Sequence, residues 1–183
     1  MHPLELEVFL PSPDQNFEKN WQEELAKNGI SIEFHPEFDI EEQSGFMPLK
    51  ITFQTAQNEM YVKDQNLASG FELDIEKFDS LEYLTFLEDE GEEISLEYNT
   101  LISDCDFRLV FYADPESDTA AYRICYAAAA ALVKLYNGVL IHTFSGSEFL
   151  KDTSIEAAIE QSARFEAKLT PEDWKLTPFE NWK

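Results

Sequence analysis

The stretch 120–143, AAYRICYAAAAALVKLYNGVLIHT, reads as one long helix, a stop and a short buried strand. Its only charged residues before the stop are Arg123 and Lys134. They are spaced by about three helical turns, so both fall on one narrow stripe with Ala127 and Ala130 between them. The opposite side carries Ala121, Ile124, Cys125, Ala128, Ala131, Leu132 and Leu135, at the spacing of a core face. Gly138 is expected to be the left-handed residue that ends the helix. Val139, Leu140 and Ile141 follow as a short β-rich run. A helix apolar on nearly every side belongs at the centre of an α/β domain, with the rest of the chain wrapped around it.

Upstream, FRLVFY at 107–112 is rich in β-formers and predicts a strand. Asp114-Pro115 breaks it, and Asp118 or Thr119 is placed to cap the central helix. At the start of the chain, LELEVFL (4–10) alternates apolar and acidic residues, as a strand with one wet face does. Ser12-Pro13-Asp14 predicts a helix start, and Phe17, Trp21 and Leu25 give that helix its apolar face. Asn28-Gly29 ends it. ISIEF (30–34) and LKITF (49–53) are two further strands. The acidic segment 35–44 reads as a loop or an irregular edge, and Gly45-Phe46-Met47-Pro48 as a turn. Residues 55–68 read either as turns throughout or as turns around a short strand at 60–62.

FELDIEKF (71–78) alternates with period two and reads as a strand. Beyond it, Leu81, Leu84 and Leu87 have the spacing of a helical turn or two, and 88–93 reads as a solvated loop. Residues 94–98 read as a strand or the start of a helix. Downstream, Thr153 or Ser154 caps a helix over 155–167 whose face is Ile155, Ala158, Ile159 and Ser162, continued by Phe165. Together these elements predict an α+β two-layer sandwich: a mostly antiparallel or mixed sheet covered by two to three helices. Residues 1–168 form one domain in this reading. The tail 169–183, with Trp174, Phe179 and Trp182, packs on it through its aromatic rings.

Composition narrows the function. The chain has 183 residues, 44% of them hydrophobic, enough for a core. Its 37 acidic and 13 basic residues give a net charge of −24. A phosphate backbone or an anionic membrane would repel such a surface, so neither nucleic acid nor membrane is an expected partner. Met1-His2-Pro3 shows no basic region leading into an apolar core, and the two cysteines, Cys105 and Cys125, suit buried thiols in a reducing cytoplasm.

No chemistry-bearing motif stands out. No two of His2, His35 and His142 lie close enough for a zinc pair. His142 with Cys125 or Cys105 could form a nucleophile–base pair only if the fold joined them. The chain lacks both G-x-G-x-x-G and G-x-x-x-x-G-K, and Ser145-Gly146-Ser147 is a turn and not a nucleophile elbow. No metal or cofactor is expected, and the chain is not expected to be an enzyme.

The acids themselves are concentrated. Residues 72–106 hold thirteen acids against one base, Lys77, so this fifth of the chain carries half of the net charge. Such a belt reads either as a solvated, solubilising face or as a docking surface for a basic protein. A calcium loop at 88–93 does not fit EF-hand spacing. On the docking reading the partner-binding residues are Asp79, Glu82, Glu88, Asp89, Glu90, Glu92, Glu93 and Glu97.

Four short stretches in order complete the sequence evidence. They are Trp21-Gln22, Ser44 through Pro48, Ser69-Gly70-Phe71-Glu72, and the Ala-rich helix running into Asn137-Gly138-Val139. Together they resemble a group of small bacterial proteins similar to immunity proteins of polymorphic-toxin systems. The polar stretch 55–66 before the second Gly-Phe departs from that pattern. The resemblance implies a compact cytoplasmic α/β protein that binds and neutralises a cognate toxin, with no catalytic residues of its own. In this reading Gly45 and Gly70 are turn glycines with positive φ, and Phe46 and Phe71 are core anchors. The function expected is a non-enzymatic acidic protein that covers the active site of a basic toxin. The alternatives are a structural or regulatory module, such as a homodimer joined through the aromatic tail, and a hydrolase built around His142.

Overall fold

A computed structural model describes the chain except residues 1–2, 13, 55–57, 62, 92–95, 143–147, 151–154 and 183, and the side chains of 96–98, 142 and 148–150. In chain order the elements are β1 (Leu4–Leu10), α1 (Phe17–Lys27), β2 (Ile30–Phe34), β3 (Phe46–Phe53), β4 (Asn66–Lys77), α2 (Ser80–Asp89), α3 (Leu96–Ile102), β5 (Phe107–Ala113), α4 (Thr119–Tyr136), β6 (Val139–His142), β7 (Glu148–Leu150), α5 (Ile155–Glu166) and β8 (Thr177–Pro178). The strands form one antiparallel sheet in the order β2-β3-β4-β5-β1-β6-β7, with β8 added beside β4. The fold is α+β.

Alternation decides which side of the sheet is dry. Leu4, Leu6, Val8 and Leu10 of β1, with Leu109 and Phe111 of β5, point into the main core. So do Met47, Leu49, Ile51 and Phe53 of β3 and Phe71 and Leu73 of β4. Helices α1, α4 and α5 cover this side. Small side chains let α4 come close: Ala127 through Ala131 are fully buried. Trp21 of α1 fills the space beside them, and its Nε1 donates to the Ala128 carbonyl at 3.0 Å. A second, smaller cluster lies on the opposite side of the sheet. There Phe9, Val139 and Ile141 pack with Ile102 and Cys105, and with Tyr83 and Leu84 of α2.

Several expectations change. Helix α1 begins at Phe17, not at Ser12-Pro13-Asp14, because the Asp14 carboxylate accepts the Asn16 backbone N–H at 2.7 Å and makes a turn first. Asn137, at φ 52°, is the left-handed residue after α4. Gly138 serves close approach instead: a Cβ there would run into the Phe9 carbonyl and the Leu10 side chain. Of the two turn glycines, Gly45 has φ +83°, but Gly70 lies inside β4, opposite Pro48. A Cβ on it would meet the Met47 carbonyl. Phe71 is buried, whereas Phe46 is 62% exposed and no core anchor. The expected turn at 45–48 is partly strand, since β3 begins at Phe46. Residues 60–62 form no strand among the described residues, yet Tyr61 is buried. The ambiguous 79–98 region holds α2 and the start of α3. Of the expected loop at 88–93, Glu88 and Asp89 are the last residues of α2, while 92–93 and the caps Thr153 and Ser154 lie outside the described residues.

Both charged residues of α4 have acidic partners. Arg123 is 3% exposed and grips Glu166 of α5 through two bonds, Nε to Oε1 at 2.8 Å and Nη2 to Oε2 at 2.6 Å. The Tyr61 hydroxyl donates to the same carboxylate at 2.9 Å. Burial pulls the Arg123 guanidinium down, but the bonds and charge of Glu166 outweigh it and hold it above its usual value. Lys134 reaches Glu24 of α1, which also receives Lys27 at 2.8 Å. The tail lies on the domain. Thr119 N–H donates to the Lys175 carbonyl at 2.9 Å, Trp174 meets Tyr61 edge-on at 5.1 Å, and β8 pairs with Leu67 and Ala68.

Candidate functional site: the open face of the sheet

Most polar positions of the alternating strands land on the side away from α1, α4 and α5; Ser69 of β4 is an exception, donating to Asp118 at the start of α4 at 2.6 Å. Pairing sets them in rows. Glu5 of β1 lies beside Tyr112 of β5, which lies beside Glu72 of β4, which lies beside Phe46 of β3. The next row is Glu7, Val110 and Asp74, and the third is Phe9, Arg108 and Glu76. Toward the β2 edge, Glu33 faces Lys50, with Nζ and Oε1 2.6 Å apart. Among the described residues the strands therefore give this face six acids, Glu5, Glu7, Glu33, Glu72, Asp74 and Glu76, against Arg108 and Lys50.

Arg108 organises the centre. Its Nε donates to Glu7 at 2.8 Å and its Nη1 to Glu76 at 2.6 Å, while its guanidinium lies 5.9 Å from the Tyr83 ring centre. The Glu7 bond, ahead of the cost of burial, holds its pKa above the usual value. Asp74 accepts the Ser44 hydroxyl at 2.7 Å and the Gly45 N–H at 3.0 Å, which ties the β3 entry to the face. A shallow cavity of about 500 Å³ opens among Ser44, Asp74, Glu76, Arg108 and Val110.

Two structures border the face. At the β1–β6 end, α2 and α3 cover Phe9, Val139 and Ile141. At the β2–β3 end the tail crosses: Lys50 Nζ lies 5.6 Å from the Phe179 ring centre, and Trp182 meets His35 edge-on at 5.3 Å. Exposed apolar groups accompany the acids. Phe46 stands beside Glu72, and α2 buries none of its residues fully and exposes Leu81 and Phe86. A polar face carrying exposed aromatic and aliphatic groups has the composition of a protein-docking surface.

The sequence-predicted residues divide. Asp79 caps α2, accepting the N–H groups of Leu81 and Glu82 at 3.0 and 3.1 Å, so it serves the helix. Glu82, Glu88, Asp89 and Glu90 are exposed on or just after α2. Glu92 and Glu93 lie outside the described residues, and Glu97 belongs to α3 with its side chain undescribed. Of the sheet acids, Glu72, Asp74 and Glu76 belong to the acidic belt 72–106 but not to its expected partner-binding set, and Glu5, Glu7 and Glu33 lie outside the belt. Their signal is the alternation in LELEVFL, ISIEF and FELDIEKF, which puts the acids of those strands on one face in the observed strand order. Acids also lie on the helix side, including Glu23 of α1 and Glu156 and Glu160 of α5.

The hydrolase residues do not assemble from what is described. Cys125 belongs to the main core and Cys105 to the cluster across the sheet, so the two are separated by it. Burial pushes both thiols up, Cys105 to about 11, which keeps them protonated and poorly nucleophilic at neutral pH. The His142 side chain is outside the described residues. Among the described residues no group of three His, Cys, Asp or Glu side chains could hold a metal ion, and no helix is long and apolar enough to cross a membrane.

Comparison with protein-family models, curated proteins and solved structures gives no match.

Proposed function

We propose that this chain is a non-enzymatic acidic binding protein that receives a basic protein on the open side of its sheet. The observation that carries this reading is the set of six strand-borne acids that share their face with Arg108 and Lys50 among the described residues, beside exposed Phe46. Opposite charge of this kind steers a cationic partner and raises its association rate, and salt weakens it. Phe46, Leu81 and Phe86 supply apolar contact that charge alone lacks. The acids of α2 extend the same side, since α2 packs on it through Tyr83 and Leu84.

The resemblance to immunity proteins narrows the partner to a basic toxin, neutralised by covering its active site. The test is a pull-down of the neighbouring gene's product with the native chain, followed by affinity measured across salt. Binding that weakens steeply with salt supports the reading. The absence of any basic partner at low salt refutes it.

A further inference from the structure

β4 outruns the strand next to it. β3 pairs with it only as far as Phe46 opposite Glu72. One residue further, the loop before β3 still serves it: Leu73 N–H donates to the Gly45 carbonyl at 2.9 Å, and Gln43 Nε2 donates to the Leu73 carbonyl at 3.2 Å. Backbone groups of alternate strand residues face the same way, so those of Ile75 and Lys77 face the β3 side too. There they have no hydrogen-bond partner among the described residues. The strand thus has a short free edge in the middle of the sheet, not at its rim.

That edge forms one wall of a groove of about 1080 Å³. The β2–β3 connection at Asp39, Ile40 and Glu41, the first turn of α1, and Leu10 and Leu109 of the neighbouring strands line it too. Ile40, Ile75, Phe17 and Phe107 give it apolar surface. Its charges are unbalanced: Asp14, Glu18, Asp39, Glu41 and Glu76 face only Lys19 and Lys77. An occupant must therefore offer backbone donors and acceptors in extended form, apolar side chains on one side and positive charge on the other.

We propose that this groove takes an extended basic segment of the partner protein by strand addition to β4 at Ile75 and Lys77. The idea rests on the reading of the partner as a basic protein and adds how one segment of it is held. Main-chain bonds to Ile75 would supply the register. Alternate side chains would then point toward Ile40 and Phe17 or toward Asp39, Glu41 and Glu76. Glu76 also lines the cavity on the open face, so one partner reaches both without a break.

The probe is a synthetic peptide of about nine residues alternating valine and lysine, a typical strand length. A second version carries N-methyl groups on alternate backbone amides, with its charge unchanged. Both are titrated into the isotope-labelled full chain at low salt and followed by amide NMR. The unmodified peptide should shift the Ile75 and Lys77 amides and slow exchange at Ile75. N-methylation should weaken it by about tenfold or more, because it removes donors from the ladder. The pair Asp39→Lys and Glu41→Lys should weaken it by a similar factor, whereas Glu5→Lys with Glu72→Lys should change it by less than about threefold. Equal binding of the two peptides, shifts confined to the open face, or no binding at low salt overturns the inference. If the neighbouring gene's product binds and responds to Glu5→Lys with Glu72→Lys but not to Asp39→Lys with Glu41→Lys, the groove inference fails and the proposed function stands. If no basic protein binds while the peptide does so as described, the proposed function fails and the groove stands.

Discussion

Arg123 and Arg108 are both held by carboxylates, on opposite sides of one sheet. Arg123 is buried under α5, with its donors on Glu166, whose carboxylate also accepts the Tyr61 hydroxyl. Arg108 is about a quarter exposed and shared between Glu7 and Glu76. The buried pair saturates the charges of its region and locks α4 to α5. The exposed one sits on a face that carries more acids than bases among the described residues. The same pair of residue types therefore holds the fold in one place and leaves a surface for a partner in the other. Depth makes the difference, because water screens a surface pair and cannot reach the buried one.

The largest expected effect comes from breaking the buried side. Arg123→Met leaves Glu166 charged and buried, and should lower the unfolding free energy by about 3–5 kcal/mol in urea denaturation. Adding Glu166→Leu should recover part of it, since the apolar pair carries no buried charge but leaves the Tyr61 hydroxyl without its acceptor. Next comes the joint between helix and sheet. Gly138→Ala presses a methyl group on the Phe9 carbonyl and Leu10, and should cost about 1–3 kcal/mol in the same assay.

A half-buried case sharpens the contrast. Burial raises the Glu24 carboxyl, but Lys134 and Lys27 outweigh it and hold it below its ordinary value of 4.5. A lowered pKa means the native state favours the ionised form, so its contribution is present above 4.5 and lost as pH falls through the folded value. Glu24→Gln should cost up to about 1 kcal/mol at neutral pH, because both lysines reach water. That gap should close in acid, as thermal melts across pH will show. The smallest effect on stability should be Arg108→Gln, below about 1 kcal/mol. It should instead speed capture of a basic partner, since it removes a positive charge from the face.

The sequence made the strands and the central helix legible wherever a period was clean. LELEVFL alternated apolar and acidic residues through Val8, FRLVFY was dominated by β-formers, and the Ala-rich run could only be a buried helix. Phe46 misled because an aromatic after glycine suggests a core anchor, while its strand register put it outside. Helix α2 was half visible: Leu81, Leu84 and Leu87 have helical spacing, but none is fully buried, so no core face confirms the period. The acids of the candidate site lie far apart in the chain. Glu5 and Glu72 become neighbours across Tyr112 only because β5 inserts between β1 and β4. That strand order is a long-range property which local patterns do not encode.

The account stands on the open side of the sheet being the surface that meets the partner. The association rate of the neighbouring gene's product should be measured at low salt with three chains: native, Glu5→Lys with Glu72→Lys on the open face, and Glu156→Lys with Glu160→Lys on the outside of α5. Each double reversal changes the net charge equally. The open-face pair should slow association by about tenfold or more while the α5 pair changes it by less than about threefold. Equal slowing by both would mean that net charge alone attracts the partner, and would contradict a dedicated open-face site.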